Sequence, residues 1–215
     1  MLNEDRIDAL AAAFLTLGRL HLDAPDEGTL AQLRQMYAQW PLAGSASAHT
    51  AAGLREWADS FDRGESADLL RADINALYGR TATALVAPFE SVHRGKDGLV
   101  FDEETLQVRG AYRQLGLQAP YLHKEPDDHV GLEFDFVAQG LARTLSALEV
   151  GALTDAGRYF GVVGDFHRDH LALWAPEMLA AARDHAATAF YRGVAALSLG
   201  ALDELGAQFE QEKQL

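Results

Sequence analysis

Cysteine is absent from the 215 residues, which excludes a disulfide scaffold, a thiolate-held metal and a cysteine nucleophile together. No uninterrupted apolar run approaches the roughly 20 residues needed to span a bilayer. The start, MLNEDRIDALAAAFL, carries acidic residues where a secretory signal carries positive charge, so a cytoplasmic protein without membrane insertion is expected. Val, Ile and Thr are sparse beside abundant Ala and Leu, which favours helix over strand. Also missing are the phosphate cradles GxxxxGK[ST] and GxGxxG, the GxSxG elbow and the HExxH helix. These absences weaken an enzymatic role, and no cofactor is expected.

Apolar residues make up 48% of the chain and the formal net charge is −14. That composition fits an ordinary globular protein. The acidity repels phosphate backbones, so a nucleic-acid partner is disfavoured. It could attract a basic partner, but such acidity more often serves solubility than recognition. The length suits one domain, residues 1–215, able to bury roughly 70% of its unfolded surface.

Helical periodicity recurs from end to end. Ile7, Leu10, Phe14 and Leu17 form one stripe, ending near Gly18. Leu30, Leu33 and Tyr37 form a second, stopped by Pro41, and Leu54, Trp57 and Phe61 mark a third. Ser66 suits the N-cap of a helix carrying Leu70, Ile74, Leu77, Thr81 and Leu85. APFESVHRGKDGLV then reads as a long loop, and helix resumes from Glu104 to Leu115. Val130, Phe134, Val137, Leu141, Leu145 and Leu148 give the strongest stripe, a buried central helix entered at Asp127 or Asp128. Thr154 to Trp174 supplies the next helix, a short one follows Pro176, and the last runs from about Ala186 to Glu212. The expected fold is all-α, a single-domain bundle of about eight or more helices.

Three constellations bear on function. His167 and His170, at i and i+3 with Asp165 or Asp169, are the best metal candidates, and would make the chain a metal-dependent hydrolase or oxidase. Di-iron bundles require paired Glu-x-x-His motifs, whereas here one His pair stands with Glu133 alone on the central helix. A second constellation is Leu77-Tyr78 followed by Pro88-Phe89-Glu90-Ser91-Val92. The third is Glu125-Pro126-Asp127-Asp128-His129, at the head of the central helix. Capping by Asp128 accounts for this last segment as well as recognition does. In recognition, His129 would sit among Glu125, Asp127, Asp128 and Glu133 and donate to a bound carbonyl, with Asp128 fixing its tautomer.

The E-P-x-D-H motif at Glu125 to His129, the PFESV segment and DHLALWAP at Asp169 to Pro176 resemble the TorD/DmsD/NarJ family of molybdoenzyme maturation chaperones. The resemblance covers roughly residues 66 to 180. It departs at Ile74, where related sequences tend to carry an aromatic. It implies an all-α chaperone, not an enzyme. Such a protein binds the leader peptide and apoprotein of a molybdenum-containing redox enzyme, as a monomer or a helix-exchanged dimer. The peptide site would comprise Leu77, Tyr78, Pro88, Glu90, Ser91, Glu125, Pro126, Asp128 and His129. A leader with a basic and an apolar region needs an acidic patch beside an apolar groove. Glu90, Glu125, Asp127 and Asp128 are expected to form the patch, and Leu77, Tyr78 and Pro88 the groove.

Overall fold

The computed structural model describes residues 2–79, 84–96, 98–119 and 126–212. Among them run ten α-helices: α1 (Glu4–Leu22), α2 (Glu27–Met36), α3 (Ala48–Arg63), α4 (Ala67–Tyr78), α5 (Glu90–Arg94), α6 (Glu103–Gln114), α7 (Val130–Glu149), α8 (Leu153–Phe166), α9 (Ala172–His185) and α10 (Ala189–Glu212). The only extended pairing among the described residues is a single antiparallel bridge between Phe89 and His129. The fold is all-α, as the periodicity predicts.

Two helix pairs carry the core. In the first, α1 lies against α7, and Ile7, Leu10, Phe14 and Leu17 are fully buried with Val130, Phe134, Val137 and Leu141. The Phe14 and Phe134 rings meet edge to face at 4.9 Å. Gly18 does not end α1. A Cβ there would lie 2.9 Å from the Gly131 carbonyl oxygen, so the glycine permits close backbone approach and the helix runs on to Leu22. In the second pair, α3 packs on α10, with Trp57 stacked on Phe190 at 5.5 Å and donating its indole N–H to the Phe190 carbonyl at 3.2 Å. Carboxylates from elsewhere satisfy the free N–H groups at the head of α10. Asp73 accepts from the Ala187 and Thr188 amides, and Glu65 from those of Ala189 and Phe190.

Four boundaries differ from the periodic reading. Helix α4 is capped by Ser66 as expected but stops at Tyr78. The Leu85 and Val86 amides turn back onto the carbonyls of Ala76 and Leu77, which consumes acceptors the helix leaves open. Leu85 is 52% exposed, and Thr81 lies outside the described residues. The segment after Pro88 is not all loop, since it forms the short α5. Helix α7 is entered at His129, not Asp127 or Asp128: the His129 Nδ1 accepts from the Gly131 amide. Finally, no new helix starts after Pro176. From α8 the chain passes through a π-helical turn at His167–Leu171 directly into α9, which contains Pro176. The proline sits one turn beyond the widened segment, where the regular bonding ladder restarts.

Candidate functional site at the head of the central helix

The short segment Pro126 to Val130 meets α4, α5 and α6. Backbone bonds fix its first partner: the Glu90 amide donates to the Asp128 carbonyl at 3.0 Å and the Val130 amide to the Pro88 carbonyl at 2.8 Å. The Asp128 carboxylate then caps α5, not α7. Its Oδ2 accepts from the Ser91 amide at 2.7 Å and its Oδ1 from the Thr105 hydroxyl of α6 at 2.7 Å. Asp127 holds α6 from the other side, pairing with Arg109 at 2.5 Å and accepting the Tyr112 hydroxyl on its carbonyl at 2.9 Å.

Glu90 continues the network inward. It pairs with Arg94 one turn on and faces the His170 Nδ1 at 2.8 Å. Arg94 also donates to the Asp169 carbonyl at 3.0 Å, tying α5 to the π turn. Glu133, on the first turn of α7, accepts the Trp174 indole N–H at 3.3 Å. Burial pushes the Glu133 carboxyl well above the usual carboxylate range, with Glu90 and Asp128 adding to the rise. The Tyr112 hydroxyl is raised for the same first cause, burial, and then by Glu133 and the nearby aspartates.

The expected acidic patch is therefore not a surface. Glu90, Asp127 and Asp128 are fully buried, as are Ser91 and Leu77, and Pro88 is buried too. A carboxylate that receives several internal donors is stabilised inside the protein, which is why this acidic run folds inward. Glu125 lies outside the described residues. Of the predicted site, Tyr78, Pro126 and His129 stay partly exposed, joined by Phe89, which the sequence reading did not single out as a site residue.

The partly exposed rings of Tyr78, Phe89 and His129 form an aromatic face. His129 meets Phe89 at 5.2 Å and Tyr78 at 6.4 Å, both edge to face. The Gly131 amide, not Asp128, fixes the imidazole tautomer: with Nδ1 accepting, the ring proton sits on Nε2. Burial lowers the His129 pKa to about 4, so the nearby carboxylates do not charge it. Behind this face, the Tyr78 hydroxyl pairs with the His21 Nδ1 at 3.2 Å instead of pointing to water, and the His21 Nε2 meets the Ser198 hydroxyl at 2.8 Å. Burial, and secondarily His129, lowers the His21 pKa to about 3.

The metal-centre alternative finds no support in this geometry. The π turn sends His170 to Glu90, while His167 lines a separate hollow between α8 and α10 with Phe160, Gly164 and Phe209. Among the described residues no three His, Asp or Glu side chains converge as a metal would require. Arg94, Thr105, Arg109, Tyr112 and His21 escaped sequence reasoning. Only the i,i+4 spacing of Glu90 and Arg94 offered a signal.

The family model described as nitrate reductase delta subunit matches residues 43–180. A chaperone protein TorD of Vibrio parahaemolyticus serotype O3:K6 is 26% identical over 136 residues, which is 63% of this chain and 62% of that protein. A TorD of Vibrio atlanticus is 27% identical over 130 residues, 60% of this chain and 59% of that protein. The chain thus spans less than two thirds of the length of these TorD relatives. The Tat proofreading chaperone DmsD of Salmonella typhi is 27% identical over 207 residues, 94% of this chain and 91% of that protein. With well over half of its length matched by the family model, this chain belongs to the nitrate reductase delta subunit family, the TorD/DmsD/NarJ-like group that its motifs resemble.

Proposed function

We propose that this chain is a cytoplasmic chaperone that binds the leader or N-terminal segment of a molybdenum-containing redox enzyme while the client receives its cofactor. The observation that carries this is the Tyr78–His129–Phe89 face, backed by a dense buried hydrogen-bond network. Rings with apolar faces take the apolar region of a leader. The His129 Nε2–H supplies a donor for a backbone carbonyl of the bound peptide. Pro126, beside the face, completes the accessible part of the site. Leu77, Pro88, Glu90, Ser91 and Asp128 act from behind it, by fixing where Phe89 and His129 stand.

The names of the relatives support the chaperone role. Attraction of the basic part of a leader falls to the net charge of −14 rather than to the buried carboxylates. Titration calorimetry with a synthetic twin-arginine leader tests the proposal. Saturable binding is expected, with an association rate that falls several-fold as salt rises and screens the surface charge. No binding to the leader at any ionic strength would overturn it.

A further inference from the structure

Among the buried atoms that the network at the head of α7 leaves unmatched is one on Glu133. Glu133 is fully buried, and its Oε2 takes the Trp174 indole N–H, but its Oε1 has no donor within reach. Its acidic neighbour is another fully buried carboxyl, Glu90, whose proximity adds to the rise in the Glu133 pKa. Glu90 receives Arg94 and His170. Two carboxylates in contact repel, and an acceptor facing an acceptor is unsatisfied. A single proton between them removes both penalties.

We propose that Glu133 is a positioning residue that keeps its proton and donates it to Glu90, and that this hydrogen bond latches α5 and α9 to the first turn of α7. The elements it joins explain the effect. Glu90 opens α5, whose amide edge is paired with Asp128 beside the Phe89–His129 bridge. Trp174, the second partner of Glu133, packs its ring tilted against that of His93 of α5 at 5.3 Å. Loss of the proton places a second negative charge next to Glu90 and Asp128, and pushes α5 away from α7. The titratable and charged groups around Glu133 are Glu90 and Arg94 from α5, Asp128 from the segment before α7, His170 from the π turn and Tyr112 from α6.

The direction of the pH effect follows from where the proton is held. In the unfolded chain Glu133 releases its proton near 4.5, and in the folded chain burial holds it to higher pH. Between the two values the unfolded state has lost a proton that the folded state keeps. Stability contributed here is complete below the unfolded value, falls as pH rises through that interval, and is level above it. Glu133→Gln supplies a permanent donor to Glu90 and an acceptor for Trp174 without the titration.

Thermal melts of the full chain and of Glu133→Gln from about pH 5 to about pH 8 test the latch. The expected result is that the native chain loses melting temperature relative to the variant as pH rises, by at least about 2–4 °C. Parallel curves, or a variant that falls behind the native chain as pH rises, would overturn it. Carbon-13 NMR of the Glu133 carboxyl in the native chain needs no variant. A signal in the protonated range near neutrality supports the latch, and an ionised one overturns it. The consequence for peptide binding rests on the function proposed above. Leader affinity should decline with pH in the native chain and hold level in Glu133→Gln. Diverging melts without any leader binding would uphold the latch and overturn the proposed function instead.

Discussion

The α1–α7 seam and the junction at the head of α7 share one helix, yet they are held by opposite means. Along the seam, apolar side chains interlock and Gly18 and Gly131 let the backbones touch. Nothing there depends on direction beyond shape, and burial at roughly 25 cal/mol per Å² of apolar surface does the work. At the junction, four fully buried carboxyl groups (Glu90, Asp127, Asp128 and Glu133) are held by donors from α5, α6, the π turn and α9. Such a network stabilises little net of desolvation, but it specifies geometry, because each missing partner leaves a costly unpaired group. The seam makes the protein fold, and the junction sets where Phe89 and His129 stand.

The largest effect is expected from breaking the seam. Phe134→Ala removes a ring packed on Phe14 and should cost about 3–5 kcal/mol, lowering the melting temperature whatever the pH or ligand. Asp128→Ala breaks the junction and strands the Ser91 amide and Thr105 hydroxyl, for a loss of about 2–4 kcal/mol. Hydrogen exchange separates the two: α5 amides should open in Asp128→Ala while those of α1 stay protected. Equal exposure of α1 and α5 would mean that the regions are not distinct. Smaller still is His129→Ala, which removes a cap for about 1 kcal/mol and should weaken leader binding about 2- to 10-fold.

Acid sharpens the comparison. His21 and His129 are held neutral to about 3 and about 4 in the folded chain, against an ordinary value of 6.5. Below that ordinary value the unfolded rings take up protons that the folded rings refuse. Their contribution is therefore complete above about pH 6.5 and is lost as pH falls toward 4. Urea melts at descending pH should show this loss, and His129→Asn, which keeps a cap, should reduce it. An unchanged acid profile in His129→Asn would mean that His129 takes up protons in the folded chain as readily as in the unfolded one.

The two regions were unequally legible in the sequence. Apolar residues at helical spacing disclosed α1 and α7, since a buried stripe has one physical cause and leaves a local pattern. The junction has no such pattern: Asp128 meets Ser91 across 37 residues, Glu133 meets Trp174 across 41, and Glu90 meets His170 across 80. The motif around Asp128 and His129 located the place, but not which carboxylates turn inward. Capping illustrates the ambiguity. Asp128 is a cap, yet for α5 instead of α7, because the Phe89–His129 bridge carries it past its own helix. Tyr78 likewise stood out, while its partner His21, 57 residues away, did not.

The central claim, that the buried junction presents Tyr78, Phe89 and His129 to a peptide, is tested most directly by NMR on the isotope-labelled chain during titration with a twin-arginine leader. The account predicts shifts concentrated at the His129 Nε2–H and the Phe89 and Tyr78 rings, with the Ser91 and Val130 amides still protected from exchange. Shifts confined to the hollow between α8 and α10, with His129 and Phe89 silent, would contradict it.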